Sequence, residues 1–206
     1  MFVDVSLALK CIKTHFKNYC CVIKKNLGLN FFWSIDNSED FIHKIGGIKK
    51  ATSIKTYDFS TLYINLPLDK IYNNLEKLTI KMFNNSGSHS LLVNADRKKA
   101  FWSQGKNYPG YKIYTIDKLL EALEYILFNR YIQFAGNFLK QIQVIHMEGN
   151  ASPFKADLCL AWDKYCFMQE LSKSKSDTEI AKTLSSNSRY IDDIVCITGP
   201  SGGESL

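Results

Sequence analysis

Three aspartates stand out as residues whose positions could support chemistry. Asp58 closes a β-rich run within TYDFSTLY, and Asp192 and Asp193 sit side by side inside SRYIDDIVCI. Aspartate is common at turns because it tolerates turn backbone geometry, so the pair alone reads as an ordinary hairpin tip. Its flanks change that reading. Tyr190, Ile191, Ile194, Val195 and Ile197 would pack a hairpin into a core, leaving two crowded carboxylates with Arg189 as the adjacent cation. A divalent cation relieves such repulsion, and Mg²⁺ favours carboxylate oxygens. Two-metal catalysis needs carboxylates from different strands converging on cations about 3.5–4 Å apart. One ion activates an attacking hydroxyl and the other stabilises a leaving pyrophosphate. A strand ending at Asp58 beside a hairpin with Asp192 and Asp193 would supply that convergence.

These residues need elements to hold them. SIKTYDFSTLYINL, residues 53 to 66, begins with alternating apolar and polar types, which predicts a strand running up to Asp58 and then bending. Val5, Leu9, Ile12, Phe16, Tyr19 and Ile23 recur at helical spacing, so residues 5 to 23 form an amphipathic helix with Lys10, Lys13, Lys17, Lys24 and Lys25 on a solvated side. Asn37 or Ser38 can cap a short helix ending at Gly46-Gly47. Pro67 suits the first turn of a helix that buries Ile71, Leu75, Leu78 and Met82. Short strands are expected at Leu91–Val93 and Ala100–Trp102, and Thr115 can cap a helix carrying Ile116, Leu120, Leu123 and Leu127. Gly136-Asn137 signals a hairpin. Ser152-Pro153 opens the next helix, and the polar stretch SKSKSDTEIAKTLSSN reads as a connection with at most a helical turn.

Composition bounds the class. With 206 residues, 46% of them hydrophobic, and 13 Phe, 11 Tyr and 3 Trp, the chain can bury a sizeable core. A formal net charge of +6 is compatible with a polyanionic partner. The six cysteines form no CxxC pair, which favours reduced thiols in an intracellular protein. No apolar run approaches the ~20 residues of a membrane span. The expectation is a soluble protein of one domain, residues 1–198, with a frayed tail at 199–206.

Taken in order, TYDFSTLY with INLPLDKI, GNASPFKADLCL and SRYIDDIVCI resemble palm motifs A, B and C of reverse transcriptases. The likeness is nearest to Penelope-like retroelements, whose polymerases are related to telomerase, and it extends to LNFFWSIDNSEDF, ATSIKTYDF and VNADRKKAFWS. It implies an α+β fold: a palm of small antiparallel sheet packed by helices, with partial fingers and no thumb. It also implies an RNA-directed DNA polymerase using Mg²⁺, or Mn²⁺, with an RNA template, a DNA primer and deoxynucleoside triphosphates as partners, in an intracellular setting that includes the nucleus. By the same resemblance Asp58 and Asp192 would be the main metal ligands, helped by the Phe59 carbonyl, with Asp193 beside them as a third catalytic carboxylate. Tyr63 would exclude ribonucleotides by clashing with a 2′-hydroxyl; by itself it reads as a core residue. Ser152 would open the helix under the templating base, and Asn150 would lie near the incoming nucleotide.

Motif B departs from the family. Where Gly-Ile-Pro-Met-Gly is usual, the sequence is Val144, Ile145, His146, Met147, Glu148. Both glycines are gone, and with them backbone freedom for close approach to nucleic acid. Glu148 adds negative charge near substrate phosphates. With the thumb and much of the fingers missing, the expectation is a truncated polymerase, and the alternative is a non-catalytic nucleic-acid-binding remnant. A metal-dependent nuclease is disfavoured, because no further Asp/Glu/His cluster completes such a site.

Overall fold

The computed structural model describes residues 1–46, 51–59, 66–96, 98–140, 152–190 and 192–198, the side chains of residues 132, 152 and 153 excepted. It is an α+β protein with small antiparallel sheets. In chain order the elements are α1 (Phe2–Leu27), α2 (Ser38–Gly46), β1 (Ser53–Asp58), α3 (Leu68–Ser86), β2 (Ser90–Asn94), β3 (Lys99–Ser103), β4 (Lys112–Tyr114), α4 (Ile116–Phe128), β5 (Tyr131–Phe134), β6 (Asn137–Lys140), α5 (Ser152–Lys173), α6 (Thr178–Ser185), β7 (Ser188–Tyr190) and β8 (Asp193–Thr198). Among the described residues no helix is long and apolar enough to cross a membrane.

The chain divides into two compact units: Met1–Asn18 with Tyr63–Trp162, and Tyr19–Leu62 with Asp163–Leu206. In the first, β2 is the central strand of a sheet ordered β3-β2-β4. All five of its residues are buried, which explains the continuous apolar run Leu91–Val93. Val5, Leu9, Ile12 and Phe16 of α1 are fully buried, as are Ile71, Leu78 and Met82 of α3 and Leu119, Leu123 and Ile126 of α4. Thr115 caps α4 by accepting from the Lys118 amide at 3.4 Å. The buried face of α4 centres on Leu119 rather than Leu120, one residue from the expected stripe. Pro67 lies at the N-cap of α3 rather than in its first turn, and its carbonyl accepts from the Ile71 amide at 3.1 Å.

Polar groups also enter this unit. Asp4 is 1% exposed and accepts from Lys112 Nζ at 2.8 Å and the Tyr114 hydroxyl at 3.3 Å. Lys13 was expected in solvent but is largely buried, in an ion pair of 2.8 Å with Asp157. Burying either charge alone would cost several kcal/mol, so each requires the other. The β5–β6 turn is Ala135-Gly136, both at positive φ, and Asn137 already belongs to β6. Positive φ at both central residues is what a two-residue hairpin needs to match strand twist.

The second unit holds the sheet β1-β8-β7. Its core includes Phe31 and Tyr165, with ring centroids 5.8 Å apart, together with Cys20, Leu29, Met168 and Ile197. Asn37 Oδ1 accepts from the Asp40 amide at 2.8 Å and so settles the start of α2. Residues 178–185, expected as a connection, form the helix α6. It buries Ala181 alone, and that leaves almost no apolar stripe for periodicity to detect.

Candidate functional site

The carboxylates are brought together by strand pairing. β1 and β8 run antiparallel with Ser53 opposite Thr198 and, at the other end, Asp58 opposite Asp193. Beyond that pair the Phe59 amide donates to the Asp192 carbonyl at 3.0 Å. Positions 59 and 192 thus form a hydrogen-bonded pair, which makes 58 and 193 a non-hydrogen-bonded pair. In such pairs the Cα atoms are only ~4.5 Å apart and the side chains are closest. Residues directly opposite point to the same face of a sheet. Asp58 and Asp193 are therefore neighbours on one face, both exposed.

The hairpin fixes the third carboxylate. Tyr190 pairs with Asp193, the first residue of the returning strand. Tyr190, Asp193 and Asp58 consequently make one row across β7, β8 and β1. Asp192 sits in the turn next to that row, half-buried, its carbonyl engaged by Phe59. Of the two hairpin aspartates, the one directly across from Asp58 is Asp193.

Several contacts brace the hairpin from the opposite edge of β7. The Arg189 amide donates to the Trp33 carbonyl at 3.0 Å, and the Ile35 amide donates to the Arg189 carbonyl at 2.9 Å. Ser34 bridges to Arg189 in parallel. Arg189 is 5% exposed and belongs to the row Tyr57–Ile194–Arg189, whose side chains point away from the carboxylate face. Lys44 Nζ donates to the Asn187 carbonyl. Burial pushes the Lys44 ammonium down to about 8, and the charge of Lys24 pushes the same way. Lys164 lies 4.1 Å from the centre of the Trp33 ring and donates to the Asn30 carbonyl at 3.0 Å. Burial holds its ammonium well below the usual lysine range, with the nearby charge of Lys44 as the next cause. From sequence, residues 33–35 read only as part of a family-like stretch, and Lys44 and Lys164 lie outside it. Their task here is to hold β7, which periodicity alone could not reveal.

Phe59 is exposed just past the end of β1. Tyr63 and Asn150 lie outside the described residues, as do the altered motif-B residues 144–148 and Arg97. Ser152 is the first residue of α5, as its Ser-Pro signature predicts. Asp157, five residues on, is the partner of Lys13.

Oxygen donors on adjacent strand ends form the set a hard divalent cation prefers. Two like charges directly opposite one another destabilise a strand pair unless something offsets them. The facing pair supplies two such carboxylates, and among the described residues no group of three or more His, Cys, Asp or Glu side chains is gathered as a metal site.

No protein-family model matches the chain, and no curated protein matches it in sequence. In fold it is similar to a chain in the structure of telomerase from Candida albicans in complex with the TWJ fragment of telomeric RNA. The TM-score is 0.60 at 15% sequence identity, and the likeness covers 95% of this chain and 30% of that one. The chain thus spans less than a third of the length of that neighbour, and at this identity the likeness concerns the fold.

Proposed function

With that fold likeness as premise, we propose that residues 1–198 are the partial palm and fingers of a reverse transcriptase related to Penelope-like polymerases, and that the chain acts on nucleic acid. The observation that carries the reading is the strand register that sets Asp58 opposite Asp193 at the tip of a braced hairpin. A two-metal nucleotidyl transferase needs carboxylates at such a position, contributed by separate strands.

Asp58, Asp192 and Asp193 would hold Mg²⁺ or Mn²⁺, with the Phe59 carbonyl as a further oxygen donor. When bound, the metal pair supplies Lewis acidity for the attacking primer hydroxyl and for the leaving pyrophosphate. The chain's own part is positional. β1 and the β7–β8 hairpin fix the carboxylates at adjacent strand ends, so their alignment adds no reorganisation cost when substrate binds. Tyr63 would stand against the sugar and reject a 2′-hydroxyl. Asn150 would contact the incoming deoxynucleoside triphosphate, and Ser152 would start the helix beneath the templating base. With RNA as template and DNA as primer, the product is a DNA strand extended from the primer's 3′ end.

Primer extension on an RNA template tests the proposal. Extension that needs Mg²⁺ or Mn²⁺ and is lost in Asp58→Asn and Asp192→Asn is the expected result. Extension undiminished in Asp192→Asn refutes the assigned chemistry. Salt-sensitive binding of primer–template without any extension supports the second reading, a non-catalytic remnant that retains its grip on nucleic acid. The replacement of the motif-B glycines by VIHME favours that outcome.

A further inference from the structure

Away from the carboxylates, the unit formed by Met1–Asn18 and Tyr63–Trp162 has a groove of about 500 Å³ in which positive charge meets aromatic rings. One wall is a face of α1 that includes Lys10 and His15. The other is the β2–β3 turn and β3, with Lys98, Lys99, Phe101 and Trp102. None of the described residues lining it is acidic. The volume is that of an ordinary ligand cleft, enough for a base with its sugar and phosphate.

The rings are held in place and partly uncovered. Trp102 is wedged edge-on between Phe83 and His15, at centroid distances of 4.9 and 5.2 Å, and His15 Nε2 is 3.0 Å from Asn85 Oδ1. Phe101 is 37% exposed and packs edge-on with Tyr111 at 5.2 Å and Tyr108 at 5.9 Å. Tyr108 is 44% exposed as well, so a ring platform continues outward from the groove.

The turn adds a separate sign. Lys98 has φ 49°, the left-handed region, and its amide closes the turn onto the Ala95 carbonyl at 3.2 Å. Glycine takes this conformation without steric cost, whereas a side chain there is strained. Strain of this kind gathers where the side chain serves a function. Here the strained residue puts an ammonium at the groove.

We propose that this groove binds single-stranded nucleic acid, with phosphates against Lys10, Lys98 and Lys99 and a base stacked on Phe101, the platform continuing over Tyr108 and Tyr111. Lysines alone would serve an acidic peptide equally well. The exposed rings of Phe101 and Tyr108, backed by half-buried Tyr111, favour a nucleic acid strand, because every base has a face to stack. The site stands apart from the polymerase reading, since it uses none of the carboxylates.

Fluorescence anisotropy of the whole chain with a labelled oligonucleotide of about 12 nucleotides, within the ~4–16 range of single-strand sites, is the test. EDTA is present throughout, so metal chemistry plays no part. Three phosphate contacts predict that log affinity falls with log salt at a slope of about −2. Lys98→Gly removes both charge and strain. It should melt at the same or a higher temperature, bind more weakly, and flatten the slope by about 0.7. Phe101→Ala should weaken binding about fivefold or more, and Lys98→Gly keeps the test sound if Phe101→Ala does not fold. Both variants binding like the parent chain, or a duplex or polyglutamate competing as well as the single strand, would overturn the proposal. Failure of primer extension with this binding intact would count against the polymerase reading alone.

Discussion

Replacing Lys155 should strengthen the fold, and by a large margin for one side chain. Lys155 lies on α5 with no exposed surface, and among the described residues its Nζ has no hydrogen-bond partner. Burial, aided by the nearby charge of Arg130, lowers its ammonium from 10.5 to about 7. At about 1.36 kcal/mol per pH unit, that interval corresponds to roughly 5 kcal/mol. Between about pH 7 and 10.5 the unfolded chain binds a proton that the folded chain does not, so stability rises with pH across this window. Below about pH 7 the folded chain carries the whole penalty of a charged, unpaired group. Lys155→Met keeps the unbranched shape and removes the titration. Near pH 7 the variant should gain roughly 5–7 kcal/mol, or about 10–25 °C in melting temperature for a chain of this size. Near pH 10.5 its advantage should shrink to the ~1–3 kcal/mol cost of a neutral unsatisfied amine. Urea denaturation of both proteins from pH 6 to pH 10.5 measures this directly. A gain that is absent at pH 7, or constant across the range, would refute the reasoning.

Removing a charge at the carboxylate pair should also stabilise the metal-free protein. Two carboxylates about 5 Å apart repel by about 0.8 kcal/mol in a watery setting, so Asp193→Asn should melt roughly 1–3 °C higher in EDTA, and a lower melting temperature would count against the strand register. Asp4 is expected to set the acid limit of its unit. Burial works to raise its carboxyl pKa, but the hydrogen bond from Lys112 and the neighbouring positive charge prevail and lower it. Its contribution is present above the ordinary carboxylate range and is lost as pH falls through the depressed value. Acid titration of Asp4→Asn, followed by circular dichroism, should show a weaker pH dependence below about pH 4; an unchanged profile would dismiss the Asp4–Lys112 contact.

Much of the frame was legible because strong apolar periodicity and turn chemistry agree. The strand ending at Asp58, the buried stripe of α1, the Thr115 cap and the Ser-Pro start of α5 all follow from local pattern. What pattern missed had weak or non-local signals. β4 is three residues long and pairs at the edge of β2, so nothing in KIY announces it. α6 buries one alanine. Lys13 is drawn inside by Asp157, a partner 144 positions away that no local window contains. At the carboxylate site the sequence identified the three aspartates but not their order across the strands. That order depends on the strand register, in which Asp193 is the first residue of β8 and lies opposite Asp58. Tyr63 and Asn150 rest on family likeness, because each by itself has a common non-catalytic use.

A double-mutant cycle on Mn²⁺ binding tests most directly whether the two strand ends form a single cation site. Calorimetric titration of the unmodified chain, Asp58→Asn, Asp193→Asn and the double variant yields the coupling between the positions. Facing carboxylates that share a cation predict strong non-additivity, ~0.5–3 kcal/mol as for residues in direct contact, with each single variant losing most of the binding. Losses that simply add, or Mn²⁺ affinity equal in all four proteins, would contradict the shared site and remove the basis for nucleotidyl transfer.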